Sequence, residues 1–142
     1  MTAACREACC SVAPRLTAGE LFERGHRRNR AVPPSIEGSL CADAEGNEAR
    51  FGLELADGKI AAAGFRVTTC ATLVAYCELI AEIVPGFGLD IAEGLTPRNL
   101  VEALPGVPAL KRERAVLAIA AFRAALAAAR NTTIDSRTGA SA

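Results

Sequence analysis

Residues 51–84 read FGLELADGKIAAAGFRVTTCATLVAYCELIAEIV. Two apolar runs, Ala49 to Ala56 and Ile60 to Val67, flank Asp57-Gly58, a dipeptide suited to the left-handed conformations of a two-residue hairpin turn. In the first run Phe51, Leu53 and Leu55 share a face, with Arg50, Gly52 and Glu54 on the other; in the second, Ala63, Phe65 and Val67 share a face. Thr68 and Thr69 then offer an N-cap, and Leu73, Val74, Cys77, Ile80, Ala81 and Val84 recur at helical spacing until Pro85-Gly86. The stretch predicts a hairpin running directly into an apolar helix, with Cys70 in the first turn. Unpaired backbone N–H groups and the positive end of the helix dipole favour a thiolate there, as a metal ligand or nucleophile requires. The plainer reading of Cys70 is a small buried hydrophobe.

Working outward, Ser35 to Leu40 reads as an extended segment after the Pro33-Pro34 break, and Ala44 to Asn47 as a turn before the hairpin. Between them Cys41 and Asp43, two apart in extended chain, point the same way and bring a thiolate and a carboxylate to one spot. Upstream, Thr17-Ala18-Gly19-Glu20 has the form of a capping box opening a short helix, which fades in a basic run from Gly25 to Arg30. That run reads either as a solvated helix end or as a surface for an anionic partner. His26, the single histidine, reads as an exposed side chain, with a ligand role as the alternative. Downstream, Leu89 to Glu93 suggests a helical turn, Thr96-Pro97 starts a helix to Leu104, and Lys111 to Arg130 forms an alanine-rich helix apolar on most of its circumference. Cys77 reads as core, or else as a spare ligand on the face of Cys70.

A chain of 142 residues with 51% hydrophobic content can bury one core without disulfides. We therefore divide it into an N-terminal extension over 1–16, a domain over 17–130 and a disordered tail over 131–142. Sixteen basic and sixteen acidic residues cancel, so no broad field steers the chain to nucleic acid, and without Trp it lacks stacking platforms. No apolar run approaches the roughly 20 residues that span a bilayer, and no signal peptide is recognisable, so the expectation is a cytoplasmic protein without membrane partners. Six cysteines in that compartment read as thiols. Cys5, Cys9 and Cys10 in the extension are either incidental or a soft-metal site. Antiparallel strands followed by helices predict an α+β fold, a small antiparallel β-sheet (the hairpin plus a preceding edge strand) packed against several helices in a two-layer sandwich. No catalytic triad, phosphate loop or paired acid–base motif stands out, so no enzyme is expected.

Three stretches, Cys41-Ala42-Asp43, Phe65 to Cys70 and Leu110 to Arg114, carry a resemblance in their order and placement. They resemble the IscU/NifU-type iron–sulfur cluster assembly scaffolds, over about Leu21 to Arg130. That family has a Cys-Gly-Asp loop before a hairpin, a Gly-Cys at the next helix start and a His-Cys at the start of the last long helix. Cys41 and Asp43 match the first, with Ala42 for glycine and a few extra residues before the strand. Cys70 matches the second, with Thr69 for glycine. Arg28-Asn29 resembles part of a Pro-Arg-Asn segment. The resemblance implies that Cys41, Asp43 and Cys70 converge on one site for a transient [2Fe–2S] cluster, a zinc or iron ion, or sulfur in transit. It places Glu113 at the histidine, as a candidate fourth ligand, and Arg114 at the third cysteine. Arginine ligates neither iron nor zinc. Arg114 therefore either removes a ligand or closes the site by pairing with Asp43 and the thiolates. The partners implied are a cysteine desulfurase and, through Pro108, Leu110 and Lys111, an Hsp70-type chaperone. The function implied is a cluster assembly scaffold, or a cluster-free module of the same fold that docks to the assembly machinery.

Overall fold

The computed structural model describes residues 16–31 and 34–141, with side chains through Thr133. The expectations for Cys5, Cys9 and Cys10 lie outside the described residues. Asp57 (φ 56°) and Gly58 (φ 77°) take the left-handed conformations of the expected turn and join β3 (Glu48–Ala56) to β4 (Lys59–Val67). The register sets Phe51 opposite Phe65 and Leu53 opposite Ala63, so the predicted apolar faces coincide. β3 is central. Its second edge pairs with β1 (Ile36–Glu37) and then β2 (Cys41–Ala42), both antiparallel, completing a four-stranded sheet.

Among the described residues, five helices accompany the sheet. α1 (Ala18–Asn29) opens on the predicted capping box: Thr17 Oγ1 accepts from Glu20 N at 3.1 Å, and Thr17 N donates to Glu20 Oε1 at 2.9 Å. α2 (Ala71–Ile83) is buried on nearly every side. α3 (Leu89–Glu93) and α4 (Pro97–Ala103) are short, the latter capped by Thr96. A 3₁₀ turn over Ala109–Lys111 leads into α5 (Arg114–Ser141), which lies along β3. Phe122 of α5 meets Phe51 edge-on with ring centroids 5.6 Å apart, and Phe51 meets Phe65 at the same distance. The α+β sandwich is thus built on an aromatic cluster between α5 and the hairpin.

Three expectations are corrected. The N-cap of α2 is Cys70 itself, with extended backbone (φ −95°, ψ 120°). Thr68 is unavailable for that role, because its hydroxyl oxygen accepts from Glu48 N at 3.3 Å and so belongs to the sheet. The last helix starts at Arg114 rather than Lys111 and continues through the polar stretch after Arg130. Within it Thr132 and Thr133 donate their hydroxyls to the carbonyls of Ala128 and Ala129 one turn back. Finally, Ala109–Thr133 is long and apolar enough by length and composition to cross a membrane, contrary to the run-length expectation. Half of that window is buried inside the fold, where Ala115, Ala118, Ala121, Phe122 and Ala125 cover the sheet.

Candidate functional site

β2 and the turn after it bring the first pair of candidate residues to the start of α5. Asp43 shapes this turn. Its Oδ1 accepts from the backbone N–H groups of Glu45 and Asn47, both at 2.9 Å, and its Oδ2 accepts from Asn47 Nδ2 at 3.0 Å. The Asn47 side chain, then burial acting against it, then those backbone donors and Arg114 leave the Asp43 carboxyl below its ordinary pKa. Cys41 is half-buried, its thiol 3.8 Å from Ser39 O. Cys41, Ala42 and Asp43 line a cavity of about 440 Å³ whose far wall is Glu113, Val116, Leu117 and Ala120 of the α5 start.

Arg114 links Cys70 to this neighbourhood. The Arg114 guanidinium lies 2.7 Å from Glu45 Oε1 and 3.9 Å from Asp43 Oδ2, and it is near enough to Cys70 to favour its thiolate. Burial raises the Cys70 pKa, but the N–H groups of Leu73 and Thr72 and the Arg114 guanidinium outweigh it and leave the thiol more acidic than usual. Arg114 is only 6% exposed, and its Nε has no partner among the described residues. The structure therefore gathers Cys41, Asp43 and Glu113 around one cavity, and Asp43, Glu45 and Cys70 around one arginine. Asp43 is the member common to both.

As placed, these residues do not fit a metal ion. Among the described residues no three His, Cys, Asp or Glu side chains come together to hold one. The Asp43 carboxylate is engaged by its own turn, and a guanidinium stands beside Cys70. Cys77 is fully buried, and burial raises its thiol well above the ordinary value, as befits a core residue. His26 is half-buried with its ring 5.9 Å from Phe22. Pro108 and the 3₁₀ turn present Leu110 at 90% exposure, next to Lys111.

Sequence reasoning missed the work of Arg28 and Asn29. Arg28 does not end α1 as a solvated charge: Nε and Nη2 donate to the two Glu78 carboxylate oxygens at 2.6 and 3.1 Å, and Nη1 donates to Ala63 O. Asn29 Oδ1 accepts from Val67 N at 2.9 Å while Nδ2 donates to Val67 O at 3.1 Å, which pins the end of β4 just before Cys70. The Arg28-Asn29 pair within the resemblance was the available signal.

No curated protein matches the sequence. A protein-family model does, over residues 20–134, and it describes the NifU-like N-terminal domain. This match takes in most of α1, the whole sheet, the corner of Cys41, Asp43, Cys70 and Arg114, and most of α5. The chain belongs to the NifU-like N-terminal domain family, whose general role is to scaffold iron–sulfur cluster assembly.

Proposed function

We propose that this protein is a non-enzymatic scaffold of iron–sulfur cluster assembly, in the cytoplasm, that holds its cargo briefly at the Cys41–Asp43–Cys70 corner and passes it to acceptor proteins. The observation that supports this reading is that Cys41 and Asp43 line one cavity with the start of α5, while Arg114 at that start stands by both Asp43 and the half-buried Cys70. The cargo is a [2Fe–2S] cluster, an iron or zinc ion, or sulfur. Two thiolates fall short of the usual four cluster ligands, so any cluster here is labile. For sulfur, a Cys70 or Cys41 thiolate attacks the outer sulfur of a persulfide on a cysteine desulfurase. A new S–S bond forms on the scaffold, the donor thiolate leaves, and no external electrons are needed. An Hsp70-type chaperone gripping Pro108, Leu110 and Lys111 would assist release; the exposure of Leu110 supports that contact.

A second reading is favoured by Arg114, whose ion pairs close the corner without metal: a cluster-free module that docks to the assembly machinery. Anaerobic reconstitution with iron and sulfide separates the two. Under the scaffold reading the wild type gives a weak, short-lived cluster absorption and Arg114→Cys a stable one. Absence of iron and sulfide from both proteins would reject the scaffold reading in favour of the docking module.

A further inference from the structure

Cys41 and Cys70 meet opposite charges. Cys70 has the Arg114 guanidinium by it. Cys41 opens on the cavity of about 440 Å³, whose ionic lining is two carboxylates, Asp43 on its own side and Glu113 on the far wall; no lysine or arginine lines it among the described residues. The carboxylates differ in how far they are satisfied. Asp43 is held by Glu45 N, Asn47 N and Asn47 Nδ2, with Arg114 3.9 Å away. Glu113 is exposed and forms no ion pair among the described residues. The arginines on either side of it turn elsewhere: Arg112 Nε donates to Val107 O at 3.4 Å, and Arg114 Nη2 donates to Glu45 Oε1. Val116 and Leu117 make the wall beside Glu113 apolar, and Val116 is 57% exposed. A negative charge just before a helix is favoured by the helix dipole, which suffices to keep Glu113 in place. It does not explain an apolar wall left open opposite a thiol.

We infer that Cys41 accepts sulfur from a donor that carries an ammonium or guanidinium group close to its S–S bond, and that Glu113 is the residue that selects this charge. The inference rests on the sulfur-carrying form of the function proposed above. A cavity of this size takes a small organic group: the short apolar stem of the donor lies along Val116 and Leu117, and its cation meets Glu113. The Cys41 thiolate then attacks the nearer sulfur. A new S–S bond forms on Cys41, the old one breaks, and the carrier leaves as a thiolate, so no oxidant or reductant is consumed. An anionic donor is turned away from Cys41 by Glu113 and towards Cys70, where the guanidinium stands. The two thiols thus sort donors by charge.

The test is thiol–disulfide exchange on the reduced full chain, followed at each cysteine by mass spectrometry, with cystamine as the cationic probe and bis(2-hydroxyethyl) disulfide as the neutral one. Rates are divided by those of a neutral model thiol, which removes the intrinsic reactivity of each reagent. Cys41 should then prefer cystamine by about fivefold, and the preference should shrink as salt is raised. Cys70 should show no such preference. Glu113→Gln, a change at an exposed side chain, should bring the Cys41 ratio close to that of the model thiol. A peptide disulfide with lysine beside its cysteine, compared with its acetyl-lysine form, distinguishes the two sources of such a donor: a Glu113-dependent preference here assigns it to a protein segment, and one confined to cystamine assigns it to a free aminothiol. An equal preference at Cys41 in wild type and Glu113→Gln would overturn the inference, as would one that salt leaves unchanged or that Cys70 shares. The reagents probe the cavity whether or not a desulfurase reaches it. Failure of the wild type to take sulfur from a desulfurase persulfide would therefore reject the sulfur-carrying reading and leave this result standing.

Discussion

Glu78 sits on α2 with 1% exposure, clasped by both arms of Arg28 and followed one turn later by Glu82, which pairs with Arg24 at 2.7 Å. Burial, reinforced by Glu82 and opposed by Arg28, pushes the Glu78 carboxyl up to about 7. A carboxyl whose folded pKa is raised contributes stability that is full below its unfolded value and is lost as pH rises through the folded one. The wild type should therefore lose on the order of 1–2 kcal/mol from this group between pH 5 and 8, discounted for the water that reaches Arg28. Urea denaturation at several pH values should find that loss absent from Glu78→Gln, and parallel curves for the two proteins would refute the assignment. At this scale the sequence was only partly readable. The partners of Arg28 and Asn29 lie far along the chain, on α2 and β4, and no local pattern announces them. Glu78 falls inside an apolar helix and reads as a break in pattern until its arginine is seen. Spacing puts Cys70 in the first turn of α2, and the structure makes it the cap.

Among elements, the β1–β2 link and α5 approach each other closely at Gly38. A Cβ added to Gly38 would come within 2.4 Å of Ala125 N, a backbone atom of a long helix that cannot move aside. Gly38→Ala should cost about 1–3 kcal/mol, with thermal unfolding as the measurement and Gly46→Ala, at a left-handed turn open to solvent, as a comparison that reports backbone strain alone. Elements fixed by neighbours in sequence were legible: the Asp57-Gly58 turn, the Thr17 and Thr96 caps, and the alternation that sets Phe51 opposite Phe65. What depends on packing was not. The length of α5 is the example, because its polar end lacks a periodic pattern. α3 is tied to α5 by Arg130, which meets Asp90 and Glu93, each at 2.7 Å, a contact that composition does not reveal.

For the whole molecule, the candidate corner is a meeting of β2, the following turn, the α2 cap and the start of α5, and Cys41, Asp43, Cys70 and Arg114 are the positions that the resemblance names. The part it did not supply is Glu45, whose ion pair with Arg114 exists only once the turn has folded. The proposed chaperone contact also belongs to this scale. Leu110 is 90% exposed and supports nothing inside the fold, so Leu110→Asp should leave the unfolding midpoint within about 0.5 kcal/mol of wild type. In the same protein, binding to an Hsp70-type chaperone should fall at least about tenfold in a calorimetric titration; unchanged binding would move the contact elsewhere.

The outer strand β4 has further meaning for how such a protein meets others. Part of its outward backbone is occupied: Ile60 by Gly86 and Phe87, the Ala63 carbonyl by Arg28, and both polar groups of Val67 by Asn29. A sheet margin with open N–H and C=O groups invites a foreign strand, and a strand once zipped on is slow to leave. With this margin engaged at both ends and in its middle, visitors are turned towards helices, loops and the cysteine corner, where contacts are made by side chains and come apart one at a time. For the carrier proposed above, which would have to release one partner before receiving the next, such a border favours reversible contact.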